Sequence, residues 1–353
     1  MVARGHFETK APTIIDVAEL AGVSKSTVSR IINGHEGVNK DAARRVRGAM
    51  YKLGYTTNQA ARSLRTRKSQ MVGVIIPALN EIYSQKAEGV DESLRVQDVS
   101  TVVSFFGWSV QKFIDSMEGL ISRGVDGLVA SLPSDRDERI QECIRNSKVP
   151  VVLLDREVDL ATNDAVLTDS WIGIHDSIAH LAQVGRSRIG LITMSASNRP
   201  GRVIHEHYLK ALGEFGLLEQ SEGLLVRTND LSIDSGRRAI TDLLARGIDA
   251  VIAATPMAPL SGVMRGITDS GLSFPRDVSL VGLHENELSL AKFPKLSVID
   301  RSLRSLGVAA GEMILARIAD PSRPPDIRTF PTYFSRGESS DPQDSLLMAG
   351  HRR

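Results

Sequence analysis

The chain changes rhythm at Met71. Upstream, apolar residues recur at helical spacing in short blocks: Ile14, Val17, Ala18 and Ala21; then Val28, Ile31 and Ile32; then Ala42, Val46, Ala49, Met50 and Leu53. Thr13 is placed to cap the first helix and Gly22 to end it; Ser24 caps the second, and Gly54 ends a third that runs from Val38 to Tyr55. Downstream, short apolar runs take over: MVGVIIP, STVVSFF, DGLVAS, PVVLLD, AVLT, RIGLITM, GLLVR, DAVIAAT and VSLVGL. Helix-length patterns such as 108–123, 170–184 and 233–246 lie between most of them. Apolar strands alternating with helices predict parallel sheets covered on both faces. The runs are too many for one comfortable sheet, so the expectation is two similar doubly wound lobes with a ligand cleft beyond the carboxyl ends of the strands. A last helix is expected over 301–320, stopped by PSRPPD. The expected fold class is an all-α head on an α/β two-lobed body.

The second block carries the first chemical signal. Val28, Ile31 and Ile32 face its inner side, while Lys25, Ser26, Ser29 and Arg30 face out. Two short helices joined by a turn containing Gly, the second with a cationic and hydroxyl outer face, read as a DNA-binding helix-turn-helix. The same pattern also suits a surface hairpin whose charges are only solvated. Charge distribution favours the former. Residues 1–70 hold thirteen Lys and Arg against five Asp and Glu, a net of +8, so the remainder carries −7 of the overall +1. A basic head on an acidic body suits a phosphate backbone as the partner of the head alone. Residues 58–70 are polar and basic, with Ala60, Ala61 and Leu64 giving a weak helical pattern of under three turns. A helix that short is marginal alone and orders only against a surface.

The 353 residues, 42% of them hydrophobic, allow two or three domains and a large core. One cysteine, Cys143, excludes a disulfide framework and fits a reducing cytoplasm. Residues 1–12 have no apolar stretch of signal-peptide length and are expected to be a disordered leader; no later run approaches a membrane span. No catalytic constellation emerges. In His205-Glu206-His207 the two histidines point apart on a helix and cannot share a metal ion. Ser195 lacks the G-x-S-x-G elbow, and no Gly-rich phosphate motif is present. The expectation is a chain that is not an enzyme and needs no cofactor or metal.

DVAELAGVSKSTVSRIING, VNKDAARRVRGAMYKLGY, NQAARSLRTRKS and MVGVIIP together resemble the lactose-repressor (LacI/GalR) family of transcriptional regulators, over about Thr13 to Arg336. The resemblance implies a helix-turn-helix head at 13–57, a hinge helix at 58–70 that folds on the operator, a two-lobed body at 71–335 similar to type I periplasmic binding proteins, and a disordered tail at 336–353. It places three crossings between lobes near Thr168, Asp300 and Phe330. Lys25, Ser26 and Arg30 are then expected to read base edges of double-stranded operator DNA, Arg30 by its bidentate fork. Ser24, Thr27, Ser29 and Asn33 are expected to hold phosphates. Asn58, Ala61 and Leu64 form the minor-groove hinge, with Leu64 as the wedge between base pairs; the alternative is a linker whose leucine packs on the body.

For the effector the resemblance implies Tyr83, Asp155, Arg202, Thr255, His284 and Arg301, but the chain departs from the usual pattern at most of them. Asp155 matches an acid that takes sugar hydroxyls, or it caps the following turn. Tyr83 is the one aromatic in NEIYSQ, where Asn-Pro-Phe-Phe is common. Thr255-Pro256 replace an Asn-Asp pair, His284 stands where an aspartate is usual, Arg301 where Gln is frequent, and Arg202 near an expected Arg. Lost carboxylate and amide with gained histidine and arginine, joined by Arg156 if it turns inward, point to an anionic sugar derivative, a sugar acid or phosphorylated sugar, over a neutral hexose. The same changes also fit a weakened or abandoned site. The tail has no heptads, so a homodimer without a tetramer-forming coiled coil is expected. The leading reading is a cytoplasmic, nucleoid-associated repressor; a sugar-binding protein without DNA function is the alternative.

Overall fold

A computed structural model describes residues 12–32, 39–55, 68–158, 162–228, 230–283 and 295–342. The chain forms two units, residues 1–69 and 70–353. In the first, Thr13 and Asp16 make a reciprocal capping box at the start of α1 (Ile14–Ala21), and Gly22, at φ +63°, ends it. The Ser24 hydroxyl accepts the Thr27 amide at 3.1 Å and opens α2 (Lys25–Ile32). Asn39 caps α3 (Lys40–Leu53) and Gly54 closes it. Val17, Val28 and Val46 are fully buried at the meeting of the three helices, with Ala18, Ala21 and Ala49 between them. Burying each of those valines stabilises the head by about 1.5–3 kcal/mol on a transfer scale, and the alanines let the helices close on one another.

The second unit contains two six-stranded sheets. The first comprises β1 (Met71–Ile76), β2 (Ser100–Phe105), β3 (Gly127–Ala130), β4 (Val151–Leu154), β5 (Asp164–Asp169) and β11 (Ile327–Pro331), in the order β11-β5-β4-β3-β1-β2 and parallel throughout. The second comprises β6 (Ile189–Met194), β7 (Leu225–Thr228), β8 (Ala250–Ala254), β9 (Ser279–Leu283), β10 (Ser297–Asp300) and β12 (Tyr333–Ser335), in the order β12-β10-β9-β8-β6-β7, with β12 antiparallel. The continuous runs are read correctly as buried strands: every residue of β3, β4, β8 and β9 is buried. Helices α4 (Glu81–Arg95), α5 (Val110–Ser122) and α6 (Glu138–Arg145) serve the first lobe. Helices α7 (Trp171–Gln183), α8 (Arg199–Glu214), α9 (Ile233–Ala245) and α10 (Met257–Asp269) serve the second. The chain crosses between lobes after β5, between β10 and α11 (Leu303–Ala319), and between β11 and β12.

α11 returns to the first lobe and lies against α4 with backbone on backbone. A Cβ at Gly307 would sit 2.0 Å from the Lys86 carbonyl oxygen, and one at Gly89 2.2 Å from that of Arg304. This close approach fixes the turn of α4 that carries Lys86. The last helix begins at Leu303 rather than Arg301, so Arg301 belongs to the crossing segment and its side chain is not committed to the helix surface.

The tail departs from expectation. Residues 338–340 form a short 3-10 turn, and Ser339 and Ser340 are fully buried. The Ser339 hydroxyl donates to the Leu280 carbonyl at 2.6 Å and accepts the Ser297 amide at 2.8 Å; the Ser279 hydroxyl donates to the Ser340 carbonyl at 2.8 Å. GESSD reads as solvated because it is polar, yet its hydroxyls are satisfied by β9 and β10. Of the sequence expectations, the leader at 1–11, the hinge at 58–67 and the tail at 343–353 lie outside the described residues. Among the described residues, no helix is long and apolar enough to cross a membrane.

Gly307→Ala is expected to destabilise the body by about 1–3 kcal/mol, because the methyl must push α4 and α11 apart. Gly213→Ala, where a Cβ meets nothing within 4 Å, is expected to be neutral or slightly stabilising. Urea unfolding of both variants checks the contrast, and equal effects would contradict it.

Candidate functional site

In the head, Lys25, Ser26 and Arg30 of α2 are exposed, Val28 is buried, and Thr27 and Ser29 are half-buried. The Ser24 hydroxyl is 2.8 Å from both the Ser26 and the Thr27 hydroxyls, so the first turn is held by a small hydroxyl cluster. This cationic and hydroxyl row, with exposed Arg44, Arg45 and Arg47 on α3, suits a phosphate-lined groove. Asn33, Asn58, Ala61 and Leu64 lie outside the described residues.

In the body, the polar chemistry concentrates where the two lobes meet. Asp155 ends β4 with φ +57°, the left-handed region that a branched or bulky residue rarely adopts. That turn sends its carboxylate into the interior. Oδ1 accepts the Thr168 amide at 2.9 Å; Oδ2 accepts Lys86 Nζ at 2.7 Å and Arg301 Nη1 at 3.2 Å. All three charged side chains are buried. Burial alone would raise the Asp155 carboxyl, but the Lys86 and Arg301 charges and the Lys86 and Thr168 hydrogen bonds reverse that and hold it below the usual carboxylate range. Burial pulls Lys86 down to about 8, opposed by Asp155 and aided by Arg301 and Arg156.

A second set of charges ties lobe to lobe. Arg202 on α8 donates to Asp135 at 3.0 Å and Glu157 at 2.7 Å, both in the first lobe, and to the Ala196 carbonyl at 3.1 Å. Arg199 donates to Glu157 at 3.2 Å and to the Thr168 carbonyl at 2.8 Å. The Asp135 amide donates across the same junction to the Ser197 carbonyl at 3.0 Å. Arg156 does turn inward, donating to the Leu132 and Asp155 carbonyls at 2.8 and 2.7 Å and lying 3.7 Å from Asp135. Burial raises the Asp135 carboxyl, with Arg156 and Arg202 pulling the other way.

The linked groups are five cations (Lys86, Arg156, Arg199, Arg202, Arg301) and three carboxylates (Asp135, Asp155, Glu157). Arg301 Nε, Arg156 Nη2, Asp135 Oδ1 and the hydroxyls of Thr168, Thr255 and Thr332 are buried with no hydrogen-bond partner among the described residues. The space left between Asp155, Thr168, Arg199, Ile204, Leu283 and Arg301 is about 10 Å³, room for one water and not for a sugar.

Several expectations are corrected here. Tyr83 is buried in the first lobe, edge-on to Trp108 at 6.1 Å, and does not line this space; its ring lies 5.6 Å from Lys86 Nζ instead. Asp155 is not free for sugar hydroxyls, because its oxygens already hold Lys86, Arg301 and Thr168. Thr255 is fully buried and does not line the space either. Arg202 bridges acids rather than facing an open cleft, while Arg301 does meet Asp155 in the cleft. His284 lies outside the described residues. Lys86, Asp135, Glu157 and Arg199 were not picked out from sequence. Lys86 had a signal: it lies four residues from both Ile82 and Val90 on the buried stripe of α4, a place for a charge only if a partner waits there. His205 and His207 have separate partners, Arg227 at 3.1 Å and Ser170 at 2.9 Å. Among the described residues, no group of three His, Cys, Asp or Glu is placed to hold a metal ion.

Asp155→Asn leaves Lys86 and Arg301 buried without a counter-charge and is expected to cost about 3–5 kcal/mol. Lys86→Met leaves Asp155 paired with Arg301 and removes a desolvated amine, so its cost is smaller. Urea unfolding at neutral pH checks the order; an equal or larger loss for Lys86→Met contradicts it.

Comparison with known proteins covers both units. The family profile described as "Bacterial regulatory proteins, lacI family" matches residues 13–58, and "Periplasmic binding proteins and sugar binding domain of LacI family" matches residues 69–336. The HTH-type transcriptional regulator MalR of Streptomyces coelicolor is 30% identical over 337 residues, 93% of this chain and 96% of that protein. The ribose operon repressor of Escherichia coli is 28% identical over 330 residues, 93% of this chain and 99% of that one. Among solved structures, the lac repressor dimer bound to operator and the anti-inducer ONPF matches with a TM-score of 0.82 at 27% identity, covering 94% of this chain and all of that chain. The complex of the transcriptional regulator CelR with cellobiose matches at 0.70 and 26%, covering 93% and 100%. With a helix-turn-helix head, a two-lobed body and relatives that match along nearly their whole length, the chain belongs to the lacI family of bacterial regulatory proteins and is a DNA-binding transcriptional regulator.

Proposed function

We propose that this regulator is a repressor that binds a palindromic operator as a homodimer and responds to an anionic small molecule held between the lobes of its body. Lys25, Ser26 and Arg30 read bases, Ser24, Thr27, Ser29 and Asn33 hold phosphates, and the hinge residues Asn58, Ala61 and Leu64 engage the minor groove. Two heads carried by one dimer gain from high effective concentration, which a lone half-site head lacks. The observation that supports the effector class is the excess of five cations over three carboxylates, with guanidinium nitrogens of Arg156 and Arg301 buried and unpartnered. Such a site favours a sugar acid or phosphorylated sugar, whose oxygens match the guanidinium fork. Admitting a ligand requires the lobes to part at the three crossings, because the present space holds one water.

A mobility-shift assay on operator and random DNA tests this reading. Arg30→Ala is expected to lose about 1–3 kcal/mol of discrimination, roughly fivefold to a hundredfold in the operator-to-random ratio. Equal weakening on both DNAs would sink the base-contact assignment. In the same assay, a panel of sugar acids and sugar phosphates should contain a compound that changes operator affinity while its neutral parent does not. A neutral sugar acting alone would overturn the effector class.

A further inference from the structure

We infer that Glu157 is an internal stand-in for the anionic group of the effector: its carboxylate fills a seat made by Arg199 and Arg202, and an entering carboxylate or phosphate exchanges with it. This rests on reading the junction between lobes as the effector site. The three acids at that junction are not equivalent. The side chains of Asp135 and Asp155 are 1% and 2% exposed, whereas that of Glu157 is 36% exposed. Asp155 is fixed by three donors, and Asp135 meets both Arg202 and Arg156. The Glu157 carboxylate meets only Arg199 and Arg202 among the described residues. It is the one acid that can leave toward solvent without stranding itself in the interior.

The seat survives its departure. Arg199 and Arg202 lie three residues apart in the first turn of α8, on one face of the helix. Arg199 stays anchored by the Thr168 carbonyl, and Arg202 by the Ala196 carbonyl and Asp135. Two guanidiniums held in place by bonds that do not involve the ligand are preorganised for an oxyanion. Removing Glu157 changes five cations against three carboxylates to five against two, so an incoming anion meets a larger positive excess. Arg199 also borders the small space shared by Thr168, Arg301 and Thr332. There the unpartnered Arg301 Nε and the two threonine hydroxyls can take the hydroxylated part of the same molecule. Because Glu157 belongs to the first lobe and both arginines to the second, the exchange also cuts one tie between lobes. The anion is therefore recognised and transduced at one point.

Calorimetry on the full chain with inorganic phosphate as probe and glucose as the neutral control tests the exchange. Glu157→Gln is expected to bind phosphate about tenfold more tightly than wild type, the worth of one charge-assisted hydrogen bond. Arg202→Gln added to it should remove the gain, and glucose should not respond to either change. If Glu157→Gln fails to fold, Glu157→Asp, whose shorter arm reaches the arginines less well, should show a smaller gain. Unchanged or weaker phosphate binding in a folded Glu157 variant overturns the inference. The operator assay separates the two readings: tighter phosphate binding with operator affinity indifferent to phosphate keeps the anion seat and removes its role as effector site.

Discussion

A carboxylate sealed from water has to be matched by charge and hydrogen bonds, and Asp155 is where this molecule meets that requirement. Its left-handed backbone turns the side chain inward at the end of β4. Lys86 reaches it from α4, Arg301 from the crossing segment after β10, and the Thr168 amide from β5. One buried anion thus joins a helix, a neighbouring strand and a crossing between lobes. The glycine contact between α4 and α11 serves the same end, since it sets the position from which Lys86 reaches. A cluster this deep contributes little net stability compared with an apolar substitute; what it contributes is geometry, because losing Asp155 strands both Lys86 and Arg301.

The cations exceed what the acids can neutralise, and this excess decides the character of the cleft. Arg202, Arg199, Asp135 and Glu157 hold one lobe on the other through ion pairs at the junction. Contacts of this kind are partly exposed, respond to salt and exchange with dissolved anions more readily than a packed core does.

The head and the layout of the body were legible in the sequence for plain reasons. Thr13, Gly22, Ser24 and Gly54 mark helix ends by chemistry that acts within a few residues. Runs such as VVLL and AVIAA, short and set between helix-length patterns, read as strands covered on both faces. The partners across the cleft were not legible, because they meet over long separations: Lys86 and Asp155 are 69 residues apart and Arg301 and Asp155 are 146 apart. Tyr83 was placed by analogy of position, but Trp108 offered it a better apolar contact in the first lobe. The polar GESSD segment hid its burial because its serines find partners only once β9 and β10 have formed. Glu157 gave no signal at all; a glutamate after a strand is ordinarily just solvated.

Ion pairs of Arg199 and Arg202 with Glu157 and Asp135 hold one lobe against the other across the junction. The Asp135 amide reports on this directly, since it donates across the junction to the Ser197 carbonyl. Its hydrogen exchange in the ligand-free, full-length protein measures how often the lobes part there. Closure by internal ion pairs predicts strong protection at low salt that falls when Arg202 is replaced by Gln. Fast exchange of that amide in the wild-type protein at low salt, unaltered by Arg202→Gln, would show that the lobes stand open until something else closes them.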